Sequence, residues 1–187
     1  TLMYYLNFSN ELFPVLDVTG GVEESRLESS SLELHLDELV SEVDEMMHTI
    51  HRTYGETSEV KDLDMTYLHL MGRHYIRTGE YEKGVRNILS LVEIASEVRN
   101  LDYLLMGYKQ MIYYDIQIGN TEEMRNYLEL ALNVADECNY HKEMGILLRL
   151  KGLNMIMQGN FSEAERLLKE SISTFMVTQS VQRRYAL

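Results

Sequence analysis

The sequence predicts an all-α protein built as an array of helix–turn–helix units. Three observations carry this. Gly79, Gly119 and Gly159 are spaced 40 and 40 residues apart, and each separates two stretches of helical apolar periodicity. The 187 residues contain a single proline, far fewer turn residues than an antiparallel sheet protein needs. Residues 32–54 contain neither Gly nor Pro, and their apolar side chains recur at helical spacing.

Residues 1–30 read as an irregular lead-in. They hold the only proline, Pro14, the Gly20-Gly21 break and the start of the Ser29-Ser30-Ser31 cap or loop signal. Residues 31–55 read as one long acidic amphipathic helix, either a cap or the second helix of a degenerate repeat. Its apolar stripe is Leu32, Leu36, Leu39, Val40, Val43, Met46, Met47, Ile50 and Tyr54, and Gly55 suits its C-terminal stop. Three helix pairs follow over residues 62–178. Their helices are predicted over 63–77 and 81–98, then 103–118 and 121–137, then 142–158 and 161–175. The turn glycine closes the first helix of each pair by taking a left-handed backbone. Small residues such as Gly72, Gly84, Gly152 and Ala164 let paired helices approach closely. Ser180 is a plausible N-cap, and residues 180–187 read as the start of a further, truncated helix in a longer parent chain.

Composition excludes several function classes. One cysteine cannot form an internal disulfide or a four-cysteine zinc site, and it fits a reducing, cytoplasmic setting. No apolar run approaches the roughly 20 residues needed to span a bilayer. Seventeen basic against 30 acidic residues give a net charge of −13, which disfavours direct binding to nucleic acid or anionic membranes. Residues 1–60 carry 13 acids and 2 bases, so most of that charge lies in the N-terminal third.

No catalytic or metal constellation assembles. His48 and His51, and His69 and His74, lack the third and fourth ligands that zinc requires. Cys138 follows Asp136 and Glu137, which raise rather than lower a thiol pKa. No phosphate-binding glycine loop is present. The twelve methionines read chiefly as core filler. No enzyme activity, no cofactor and no metal are expected.

One constellation follows the 40-residue register. Ten residues before each turn glycine stand His69, Lys109 and Arg149. Six before stand Arg73, Tyr113 and Leu153, and two before stand Arg77, Gln117 and Met157. These residues could form a basic ladder that focuses anions. Alternatively, each base pairs with an acid on a neighbouring helix.

The segment Gly72-Arg73-His74-Tyr75-Ile76-Arg77-Thr78-Gly79-Glu80-Tyr81-Glu82-Lys83-Gly84 resembles a tetratricopeptide repeat, as does Gly152 with Gly159-Asn160-Phe161-Ser162-Glu163-Ala164 and Leu168. The middle unit departs from the pattern at Ile112, Asp115 and Met124. The 40-residue period exceeds the family's usual 34. The resemblance implies a right-handed superhelix of helix pairs whose first helices line a concave groove. His69, Arg73, Arg77, Lys109, Tyr113, Gln117 and Arg149 would then be the groove's ligand-binding residues. It further implies a protein- or peptide-binding module, the sensory or interaction domain of a larger bacterial transcriptional or signalling regulator. Its partner would be a protein or peptide, acidic or drawn from the parent chain. The alternative is a structural array that forms a homodimer and has no ligand groove.

Overall fold

A computed structural model describes residues 25–185, with side chains described over 39–177. The described residues form seven helices and no strand: α1 (Ser25–Tyr54), α2 (Ser58–Thr78), α3 (Tyr81–Glu97), α4 (Leu101–Ile118), α5 (Thr121–Glu137), α6 (His141–Met157) and α7 (Phe161–Tyr185). The chain is therefore all-α, with consecutive helices packing on their neighbours, as the glycine register predicts.

Two boundaries differ from expectation. Helix α1 begins at Ser25 rather than near residue 31. Ser29, Ser30 and Ser31 lie inside it, since serine costs a helix interior only a few tenths of a kcal/mol and no Gly or Pro intervenes after Gly21. The expected irregular lead-in at residues 1–24 lies outside the described residues. Helix α7 does not stop near Phe175 and restart at Ser180; it runs unbroken to Tyr185. Thr178-Gln179-Ser180 contains no Gly or Asn to take the left-handed backbone that ends the other helices. The expected further helix is the continuation of α7.

The turns reveal a shorter period than the glycines alone suggest. Left-handed residues occur at Gly79, Arg99, Gly119, Asn139 and Gly159, one every 20 residues. The residue after four of these turns donates its N–H to the carbonyl five residues back along the chain. Asn100 bonds Ala95 O at 2.8 Å, Asn120 bonds Asp115 O at 2.9 Å, Tyr140 bonds Ala135 O at 2.8 Å and Asn160 bonds Met155 O at 2.8 Å. This bond closes a Schellman motif and satisfies a helix-end carbonyl. Asn100, Asn120 and Asn160 also cap the next helix, their Oδ1 atoms accepting from the N–H groups of Tyr103, Glu123 and Glu163.

The chain divides into two units, residues 1–87 and 88–187, with the boundary inside α3. In the first unit, the apolar face of α1 buries Val40, Val43 and Met47 against Leu70 and Met71 of α2. Two polar contacts fix the same pairing. Tyr67 Oη donates to Asp44 Oδ1 at 2.5 Å, and His51 Nε2 lies 2.8 Å from Asp64 Oδ1. Where α2 meets α3, Gly84 permits near contact of backbones. A Cβ there would lie 2.9 Å from Ile76 N and 3.1 Å from Gly72 O.

In the second unit, α4, α5 and α6 enclose a core of Leu105, Ile112, Met124, Leu128, Ala131, Val134, Ala135, Leu147 and Leu150. Ile112 and Met124 fill space here, whereas their counterparts in the first pair, Gly72 and Gly84, let the helices touch. Asn154 on α6 is fully buried and donates from Nδ2 to Thr121 O at 3.1 Å, pinning α6 to the start of α5. Ser171 on α7 is buried too, and its hydroxyl donates to Gly145 O at 2.7 Å.

Candidate functional site

Helical spacing puts residues 102, 106, 109, 113 and 117 on one face of α4, and residues 142, 146, 149, 153 and 157 on the matching face of α6. Two side-chain bonds hold these faces beside each other. Lys109 Nζ lies 2.6 Å from Glu143 Oε2, with both side chains about a quarter exposed. Tyr140 Oη donates to Asp102 Oδ1 at 2.6 Å. The Asp102 carboxylate accepting that proton pushes the Tyr140 phenol up to about 12, so the phenol stays a donor at neutral pH.

The two faces are mixed in chemistry rather than uniformly polar. Met106, Tyr113, Ile156 and Met157 are all exposed at about 40%. Leu153 and Ile146 lie among them, half-buried. Arg149 is exposed and makes no ion pair or hydrogen bond among the described residues, and the same holds for Lys142 two turns earlier. The arrangement offers apolar and aromatic anchors beside uncommitted cations. The combination departs from an ordinary solvated helix face, on which exposed positions are mostly charged.

Of the seven residues expected to line a groove, four stand on these two faces: Lys109, Tyr113, Gln117 and Arg149. His69, Arg73 and Arg77 lie along one face of α2 in the other unit, each interacting with neighbouring groups. Lys109 is not a free rung of a basic ladder, because Glu143 neutralises it. The pairing alternative therefore holds at this position, and the open cations of the second unit are Arg149 and Lys142. Lys142 has no repeat signal. Its register counterparts are Asp62 and Asp102, so alignment on the glycines points away from it.

Asp115 was visible in the sequence only as a departure from the repeat pattern. Its side chain is 2% exposed and its Oδ2 atom has no hydrogen-bond partner. Burial, and secondarily the nearby Glu123 carboxylate, push the Asp115 carboxyl up to about 6. It sits in the α4–α5 core rather than on the exposed faces.

Other chemistry is sparse. Among the described residues, no group of three or more His, Cys, Asp or Glu side chains could hold a metal ion. No helix among them is long and apolar enough to cross a membrane. An open cleft lined by His141, Glu170, Ser173, Thr174 and Val177 lies between the start of α6 and the outer side of α7. Its Glu170 is engaged by Arg166 at 2.9 Å.

No protein-family model, no curated protein and no solved structure matches the chain.

Proposed function

We propose that this chain is a protein- or peptide-binding module whose recognition surface is the joined face of α4 and α6. The observation that carries the reading is the exposed set Met106, Tyr113, Ile156 and Met157 beside the unpaired Arg149 and Lys142. Exposed apolar and aromatic side chains cost solvation unless a partner covers them, and here they are grouped with cations that suit a partner carboxylate. The partner is an acidic amphipathic helix or extended segment that brings its own apolar anchors. No reaction is assigned to the module; it binds and does not turn over. The resemblance to tetratricopeptide repeats supports the same role, the interaction domain of a larger bacterial transcriptional or signalling regulator acting in the cytoplasm.

The experiment is a selection of displayed helical peptides on the native chain, followed by affinity measurement on two variants. Peptides rich in Asp, Glu and large apolar residues are the expected winners. Tyr113→Ala is expected to weaken them about tenfold by removing an anchor, as is Arg149→Glu by reversing the charge. Both positions are exposed, so the fold tolerates both changes. Selected peptides that bind the native chain and both variants equally would place recognition on another face and overturn the reading.

A further inference from the structure

The seam between α4 and α6 has an axial register of its own. The two side-chain bonds that cross it join residues 38 and 34 apart, Asp102 with Tyr140 and Lys109 with Glu143. The two helices run in the same direction, so residues that come level across the seam are separated by an amount between those values, not by the 40 of the glycine repeat. Met106 on α4 therefore comes level with Lys142 on α6, and Tyr113 with Arg149. Met106 is 41% exposed and Tyr113 44%, and the two cations are exposed as well.

The face thus repeats one unit twice, an apolar anchor on α4 beside a cation on α6. On both helices the copies stand seven residues apart, two turns, or about 10.5 Å along the axis. What lies between them is already neutral, because Glu143 holds Lys109 at 2.6 Å. A third copy does not fit. Seven residues beyond Tyr113 lies Asn120, in the turn after α4, and seven beyond Arg149 lies Ile156, which carries no charge.

This spacing discriminates between partner conformations. Extended chain covers the distance in about three residues, and because its side chains alternate, residues three apart point to opposite sides. Such a segment cannot set the same side chains on both units. An α-helix covers the distance in seven residues, and residues seven apart return to the same face. A helix laid along the seam carries apolar residues over α4 on one edge and carboxylates over α6 on the other. We propose that the partner of this face is a helix whose large apolar residues and whose acids each recur with a period of seven, two of each, the acids meeting Lys142 and Arg149. This partner rests on the reading of the α4–α6 face as the recognition surface, and it sharpens that reading by excluding extended segments. An acid placed midway between the two gains little, since the cation at that level is already engaged by Glu143.

The test is titration of the native chain with three synthetic peptides of about 18 residues, five helical turns. The first carries two leucines seven apart and two glutamates seven apart, on adjoining edges of a helix. The second has the same composition with its glutamates four apart. The third keeps the first pattern but has a proline in its middle, away from the docking edges, to stop helix formation. The first is expected to bind at least tenfold tighter than either of the others and to gain helical circular dichroism on binding. Lys142→Glu and Arg149→Glu are each expected to weaken it about tenfold. Changing one peptide glutamate to lysine is expected to restore binding to one variant, and changing the other glutamate to restore the other. Both positions are exposed and make no ion pair among the described residues, so the variants keep the fold, which thermal melts check. A first peptide that binds no better than the second or the third overturns the helical partner, and so does rescue of either variant by either change. If Tyr113→Ala still weakens the peptides that display selection returns, the recognition surface stands and only its helical partner falls. If neither Tyr113→Ala nor Arg149→Glu alters the binding of any peptide, the surface itself falls and takes the partner with it.

Discussion

A carboxyl group closed off from water prefers its proton, and Asp115 makes that preference a property of the whole fold. Unfolded, it titrates at an ordinary aspartate value near 3.9. Folded, its carboxyl is raised to about 6. Below the unfolded value both states are protonated and Asp115 has no effect on stability. As pH rises through the interval between the two values, the unfolded chain ionises first and the folded state loses ground. Above about 6 the loss is complete, on the order of 3 kcal/mol. Urea denaturation of the native chain should therefore show stability falling between pH 4 and pH 7 by about that amount. In Asp115→Asn this component of the slope should be absent. The groups facing Asp115 that bear on its charge are Glu123 and Tyr127, both on α5.

At the scale of elements, the turns are the feature most fully written in the sequence. Glycine is the residue that enters the left-handed region without strain, so Gly79, Gly119 and Gly159 advertise their turns. The intervening turns use Arg99 and Asn139, both at φ 55°. Arginine carries no signal for that conformation, which is why the 20-residue period is hidden behind a 40-residue one. Nothing lies within 4 Å of a Cβ placed on Gly119. Gly119→Ala is therefore expected to destabilise by about 1 kcal/mol through backbone strain alone. Arg99→Gly is expected to do the reverse, stabilising by roughly 0.5–1 kcal/mol. Thermal melts of the two variants check the pair, and the same sign in both would refute the strain account. The candidate site was legible only in part. Register alone puts Tyr113 and Gln117 on α4 and Arg149 on α6, at matching positions of the two faces. The Lys109–Glu143 pair joins residues 34 apart in sequence, with no local pattern to announce it. The continuation of α7 was missed because Ser180 is a good N-cap wherever a turn precedes it, and here none does.

For the molecule as a whole, the uneven charge matters more than the net value. Residues 1–60 carry 13 of the 30 acids and only two bases. Helix α1 holds much of that excess, and its apolar face must keep contact with α2 against the mutual repulsion of its own exposed carboxylates. Salt relieves the repulsion over distances beyond about 10 Å at 0.1 M. Raising ionic strength from about 20 mM to about 200 mM should slow hydrogen exchange along residues 40–54. Exchange in α5, whose unit is nearly balanced in charge, should change much less. Equal responses in the two helices would show that the acidic excess is fully solvated and without mechanical effect.

The regular spacing of the turns has a genetic consequence. Excising residues 101–140 would remove one helix pair and leave every remaining turn at its place in the count, with Asn100 running into His141. In length, the pairs are interchangeable cassettes that duplication or deletion can add or drop. In surface they are not. Val92 fits α4 because position 107 is glycine, and the same position one pair later is Leu147. A shortened chain would press a leucine onto Val92 where no side chain now stands. Gain or loss of a cassette therefore leaves a seam to be re-matched, and Val92 is the residue that would have to change first.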